Sequence, residues 1–147
     1  MRLEGAYKIA APREKVWERL LDPQALARAL PGCEKLEANA DGSYATEMRV
    51  GIAAVKGTYK GRVEILDAVP PDHFRMKVEA QGTGGFLRGD GTVTLVAEGE
   101  GTRIAYSGEA QVGGVIASVG QRLLVMAAKQ ITGHFFEAFA REFRDAA

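Results

Sequence analysis

The sequence predicts an α+β fold: a seven-stranded, curved antiparallel sheet around one long C-terminal helix, with two short helices after the first strand. Three observations carry this. Seven segments alternate apolar and polar residues with the period of two that a half-buried strand requires. Six of them follow one another across short turns, and strands joined that way are antiparallel neighbours. A sheet with one apolar face needs a cover, and only the segment from Gly114 to about Phe143 is long enough to supply it.

In chain order, Leu3, Gly5, Tyr7 and Ile9 alternate with Arg2, Glu4, Ala6 and Lys8 as the first strand. Pro12 ends it and suits the start of a helix; Arg13–Leu21 follows with Val16, Trp17 and Leu20 on one face. Asp22 caps a second helix, with Pro23 at its first position and Gln24–Leu30 behind it, and Pro31-Gly32 stops it. Glu34–Ala40 runs into Asp41-Gly42, a strong hairpin signal, and Tyr44–Ala54 answers it. Thr58–Asp67 sets Tyr59, Gly61, Val63 and Ile65 on one side. After the turn Pro70-Pro71-Asp72, His73–Gln81 opposes Phe74, Met76, Val78 and Ala80 to His73, Arg75, Lys77 and Glu79. Gly85–Ala97 and Thr102–Val112 flank the hairpin loop Glu98–Gly101. Neither a linker nor a repeat interrupts the chain, which reads as a single domain over 1–147.

Composition narrows the function. Nineteen Lys and Arg balance nineteen Asp and Glu, which removes the electrostatic footprint of a nucleic-acid binder. The single cysteine, Cys33, forms no internal disulfide, as suits a reducing compartment. The N-terminus alternates instead of following the layout of a signal peptide. The only candidate membrane span, 113–131, carries Arg122 and Lys129, so a transmembrane helix is not expected there.

The apolar face of the sheet holds an unusual number of glycines: Gly61, Gly89, Gly91 and Gly108 take inward-phase positions. Glycine in a strand marks a bend or a close approach, and a curved sheet needs bends. At 100° per residue, Ile116, Gly120, Leu123, Leu124, Ala127, Ile131, His134, Phe135 and Ala138 fall on one helix face, with small Gly120 and Ala127 at its middle. Small residues facing glycines leave volume that side chains fill poorly, and voids cost stability. Either the helix lies very close to the sheet or a ligand occupies the gap. On the second reading the cavity wall is expected from Tyr44, Met48, Tyr59, Val63, Phe74, Met76, Leu95, Ile104, Tyr106, Ile116, Gly120, Leu123, Ala127, Ile131 and His134, and its entrance from Leu30, Pro31, Gly84 and Phe86. Val115, Val125, Met126, Phe136 and Phe143 fall behind that face; contact with the short helices and contact with a partner or membrane both account for them.

Catalytic residues are not expected. His73 lies on a polar strand face, and His134 reads as a core residue before a ligand contact. One cysteine and two widely spaced histidines make no metal motif. Cys33 reads as a packed thiol, and Gly82-Thr83-Gly84-Gly85 joins strand to strand, where a phosphate cradle requires a helix N-terminus. Tyr7, Tyr44, Tyr59, Tyr106 and His134 are the few polar groups placed to orient a carbonyl ligand.

These residues resemble a known family. The element order resembles the helix-grip fold of the START and Bet v 1-like (SRPBCC, polyketide cyclase) superfamily. Ala11-Pro12 with Val16-Trp17 and Asp22-Pro23, then Leu30-Pro31-Gly32-Cys33-Glu34, Lys56–Gly61, Gly82–Gly91, Gly101-Thr102 and Gln111-Val112-Gly113-Gly114 with Ala117 and Gly120-Gln121-Arg122 are similar to the family of carbon monoxide dehydrogenase G subunits. The resemblance implies a non-enzymatic accessory protein of a carbon monoxide dehydrogenase-type molybdenum hydroxylase. It implies an isoprenoid quinone or other lipid bound non-covalently in the cavity, no metal, and a part in membrane recruitment or electron delivery. The expected location is the cytoplasm, with peripheral contact at the inner face of the membrane. Many family members carry a C-terminal membrane-binding tail; this sequence ends at Arg144-Asp145-Ala146-Ala147, which fits either a protein without autonomous anchoring or a shortened chain. A cyclase- or aromatase-like enzyme on the same fold, and a recruitment module without ligand, are the two alternatives.

Overall fold

The computed structural model describes residues 1–145; the last two positions of the predicted domain lie outside the described residues. The chain forms β1 (Arg2–Ile9), α1 (Arg13–Leu20), α2 (Pro23–Ala29), β2 (Cys33–Ala38), β3 (Tyr44–Val50), β4 (Gly57–Val69), β5 (His73–Gly82), β6 (Gly85–Glu98), β7 (Gly101–Gly113) and α3 (Gln121–Asp145), with short 3-10 turns at Ala53–Val55 and Val115–Val119. One seven-stranded sheet has the order β1-β7-β6-β5-β4-β3-β2. Every neighbouring pair is antiparallel. The meander runs from β2 to β7, and β1 then pairs along β7, setting Gly5 opposite Tyr106 and Ile9 opposite Thr102. The predicted architecture is therefore the observed one.

Local chemistry explains the element ends. The Asp22 carboxylate accepts from the Gln24 N–H at 3.1 Å, and Pro23 fills the first position of α2. At the β2–β3 hairpin the Asp41 carboxylate accepts from the Ser43 N–H at 3.0 Å and from its hydroxyl at 2.6 Å. Gly42 takes the positive φ of 88° there.

Two boundaries differ from expectation by more than two residues. The strand predicted over Tyr44–Ala54 ends at Val50, and the chain turns through Ala53–Val55. The helix predicted from Gly114 starts only at Gln121. Gly114 (φ 83°, ψ −157°) and Gly120 (φ 93°, ψ 150°) take an extended positive-φ conformation that glycine alone adopts readily and that no α-helix can contain, and the residues between them form a separate 3-10 turn.

That break moves the phase of α3. Phe139 is fully buried and Phe136 nearly so, whereas Leu123 is 47% exposed and His134 is also exposed. Phe136 stacks on Tyr7 at 5.2 Å and on Tyr106 at 5.8 Å. Phe143 packs edge-on against Phe139, with the Arg19 guanidinium over its ring. The predicted inward face, which counts Ile116 and Gly120 as parts of one continuous helix, is thus rotated from the observed one. Phe136 and Phe143, expected behind the helix, belong to its packed side.

Burial changes along the strands. At one end Ile9, Val16, Trp17, Leu20, Phe74, Leu95, Ile104 and Phe139 make a closed core. Towards the other end the same inward rows, through Leu3, Val78, Ala80 and Leu87, are only half-buried. Helix and sheet close completely over just part of their length.

Candidate functional site: an apolar cavity over a glycine floor

The strand register brings three rows of inward residues side by side. Val78, Gly89 and Ala110 form one; Met76, Gly91, Gly108 and Leu3 the next; Phe74, Val93, Tyr106 and Gly5 the third. Where glycine replaces a side chain the sheet has a bare floor. An apolar cavity of about 220 Å³ lies over it, lined by Leu3, Met76, Val78, Leu87, Val93, Tyr106 and Ala110 with Gly89, Gly91 and Gly108, and reached from α3 by Thr132. Gly91 and Gly108 also serve the backbone: a Cβ on Gly108 would stand 2.6 Å from the Asp90 carbonyl oxygen. Gly89 is different, because a Cβ there would meet only the Glu109 carbonyl oxygen, at 3.7 Å.

The polar element of the cavity is a pair of hydroxyls. Tyr106 donates to Thr132 Oγ1 at 3.5 Å, and Thr132 donates to the Lys129 carbonyl at 3.1 Å. The Tyr106 bond is long, so its O–H is free to turn towards another acceptor. Asp90 and Glu109 also border the cavity, but their carboxylates are engaged on the other sheet face, Asp90 with Arg75 and Glu109 with Arg2 and the N-terminal ammonium. An apolar chamber with a hydroxyl donor suits a carbonyl-bearing apolar molecule.

Of the residues expected in the wall, Met76 and Tyr106 line this cavity. Phe74, Leu95 and Ile104 are buried in the closed core, Phe74 edge-on to Trp17 at 5.5 Å. Tyr44, Met48, Tyr59, Val63 and Ile131 are half-buried. The Tyr44 hydroxyl donates to the Leu21 carbonyl at 2.8 Å and that of Tyr59 to the Val55 carbonyl at 2.7 Å, so both are already engaged; burial raises both phenol pKa values. Ala127 and Ile116 are buried away from this cavity. Gly120, Leu123 and His134 are exposed.

Of the expected entrance residues, Leu30 ends α2 beside half-buried Pro31. Gly84 and Phe86 lie at the β5–β6 turn, where the Ile116 N–H donates to the Gly84 carbonyl at 2.8 Å and the Phe86 ring covers Gly113. Leu3, Val78, Leu87, Val93, Ala110 and Thr132 are not among the residues expected at the site. The sequence does carry a signal for the strand residues: they neighbour the glycines that the alternation places inward.

A family model for the carbon monoxide dehydrogenase G subunit (CoxG) matches residues 5–143. A search of curated proteins finds no match. Among solved structures, a conserved protein from Geobacillus kaustophilus is 33% identical with a TM-score of 0.95, over 99% of this chain and 97% of that one. A START superfamily protein from Mycobacterium smegmatis, 12% identical, has a TM-score of 0.77 over 99% of both chains. A protein from Thermus thermophilus is 18% identical, with a TM-score of 0.74 over 100% of this chain and 99% of that one. The last two show a shared fold.

Proposed function

The chain belongs to the carbon monoxide dehydrogenase CoxG family, and we propose that it serves a molybdenum hydroxylase of that type by holding a quinone-like apolar molecule over its glycine floor. Family membership implies an accessory protein of a carbon monoxide dehydrogenase. The non-catalytic role, the quinone and the membrane contact are our reading.

The observation that carries it is the apolar cavity with the Tyr106–Thr132 hydroxyl pair at its side. Its roughly 220 Å³ is below the roughly 300–1,000 Å³ of drug-sized ligand sites. It suits a ring, with an attached chain following the half-buried inward rows. Tyr106 would donate to a ring carbonyl. Ten buried methylene-like carbons are worth roughly 8 kcal/mol gross at about 0.8 kcal/mol each. That corresponds to about micromolar affinity before the cost of association, loose enough for a carrier to release its cargo.

Among the described residues no helix is long and apolar enough to cross a membrane. On this reading the protein works in the cytoplasm and touches the inner face of the membrane to exchange a membrane-soluble cargo with its enzyme. Native mass spectrometry after equilibration with a quinone-containing lipid extract tests it. An added mass equal to one quinone is expected. A spectrum of unliganded protein at saturating extract would contradict it.

A further inference from the structure

The segments 48–63, 80–89 and 110–136 each lack an acidic residue. All nineteen acidic side chains lie outside them, although the chain as a whole is neutral. The fold gathers their turns at one end of the molecule. The Tyr59 hydroxyl bonds to the Val55 carbonyl, and a Cβ on Gly84 would stand 2.6 Å from that hydroxyl and 2.8 Å from the Ile116 side chain. The 115–119 turn leads from there directly into α3.

The same end carries most of the exposed large apolar side chains. Phe86, Val115, Leu123 and Met126 are 41%, 73%, 47% and 59% exposed, and only Val69 and Val96 elsewhere compare with them among the described residues. Lys56, Arg88, Arg122 and Lys129 stand exposed around them. None of the four forms an ion pair among the described residues. Arg88 instead lies over the Phe86 ring at 5.6 Å. Glu79, cross-strand from Arg88, is the carboxylate at this edge; apolar side chains flanked by Lys56, Arg122 and Lys129 without ion pairs fit the boundary of an anionic bilayer, where the first enter the acyl region and the second meet headgroup phosphates. A symmetric second copy is disfavoured, because it would set this cationic surface against itself.

We infer that this end, formed by the 53–55 and 115–119 turns, the β5–β6 turn and the start of α3, is the face that docks on an anionic lipid bilayer. Phe86 is the immediate chain neighbour of cavity-lining Leu87, so docking brings the cavity's end of the sheet to the lipid. The inference rests on the membrane contact proposed above and assigns it a face.

The test is co-sedimentation with vesicles of phosphatidylcholine alone and of phosphatidylcholine mixed with phosphatidylglycerol. The wild type is expected on the mixed vesicles only, released by salt. Lys56→Gln, Arg122→Gln and Lys129→Gln should each weaken binding about fivefold. The triple variant Val115→Ser/Leu123→Ser/Met126→Ser should abolish it with the thermal midpoint retained, since these side chains are exposed. Val69→Ser/Val96→Ser, outside the three segments, should bind as the wild type does. Wild-type binding that survives both sets of substitutions overturns this face alone. Absence of wild-type binding to any vesicle overturns the membrane contact with it. A concentration-dependent dimer lost in the triple variant, without vesicle binding, would give the surface to a second copy and overturn the inference.

Discussion

Asp41 at the tip of the β2–β3 hairpin is held at a pKa of about 2 by the Ser43 hydroxyl first, then by the Ser43 amide and the Arg62 guanidinium. Its folded value lies below the roughly 3.9 of an unfolded chain, so its contribution is complete above about pH 4 and is lost as the pH falls towards about 2. Asp41→Ala should therefore lower the thermal midpoint at neutral pH, by a margin that shrinks as the pH falls through about 2. An NMR titration of Asp41 should give a midpoint near 2. In the core, Phe139 is fully buried between Phe135 and Phe143; Phe139→Ala should cost about 3–5 kcal/mol in chemical denaturation. Tyr106→Phe removes only a long hydrogen bond and should cost less than about 1 kcal/mol. The same change should weaken a carbonyl-bearing ligand about tenfold, as loss of one well-placed donor does. The inward alternation of β7 makes Tyr106 legible in the sequence, whereas Thr132 is not. A threonine on a helix shows its neighbour only once the helix phase is known.

Strands and helices differ in how far the sequence reveals them. Alternation with a period of two needs only a few residues to set a phase, so it assigns the inward residues of β4, β5, β6 and β7 correctly. The pairing of β1 with β7 joins the two ends of the sheet's chain path, and no turn announces it. The phase of α3 is misplaced when it is anchored on Ile116 and Gly120, which precede the helix. A Cβ added at Gly120, whose φ is 93°, would meet nothing within 4 Å, so space does not restrict it. Gly120→Ala should still lower stability by about 1–3 kcal/mol, the backbone cost of a side chain in this extended positive-φ conformation. An Ala variant as stable as the wild type would show that the 115–119 turn readily joins α3 as continuous helix.

The whole molecule divides its labour along the strands. One end is closed by aromatic and aliphatic packing, and an ion-pair cluster in which Arg28 and Arg19 both reach Glu142 ties α1 and α2 to α3. Towards the other end glycines leave the sheet bare, and the helix does not fill the space. The sequence points to this space through inward Gly89, Gly91 and Gly108, while most of the expected wall residues lie in the core or on the rim. Position along a strand, unlike the side it faces, depends on where the helix crosses, and periodicity does not encode that. The central claim is that the cavity over the glycine floor holds an apolar ligand. Gly89→Leu tests it most directly, because a Cβ there makes only an ordinary 3.7 Å contact and the longer side chain would grow into the cavity. Equilibrium titration with a short-chain quinone, with the thermal midpoint measured alongside, should give an unchanged or raised midpoint and binding weakened at least about tenfold. Undiminished affinity in a stably folded Gly89→Leu protein would contradict the account.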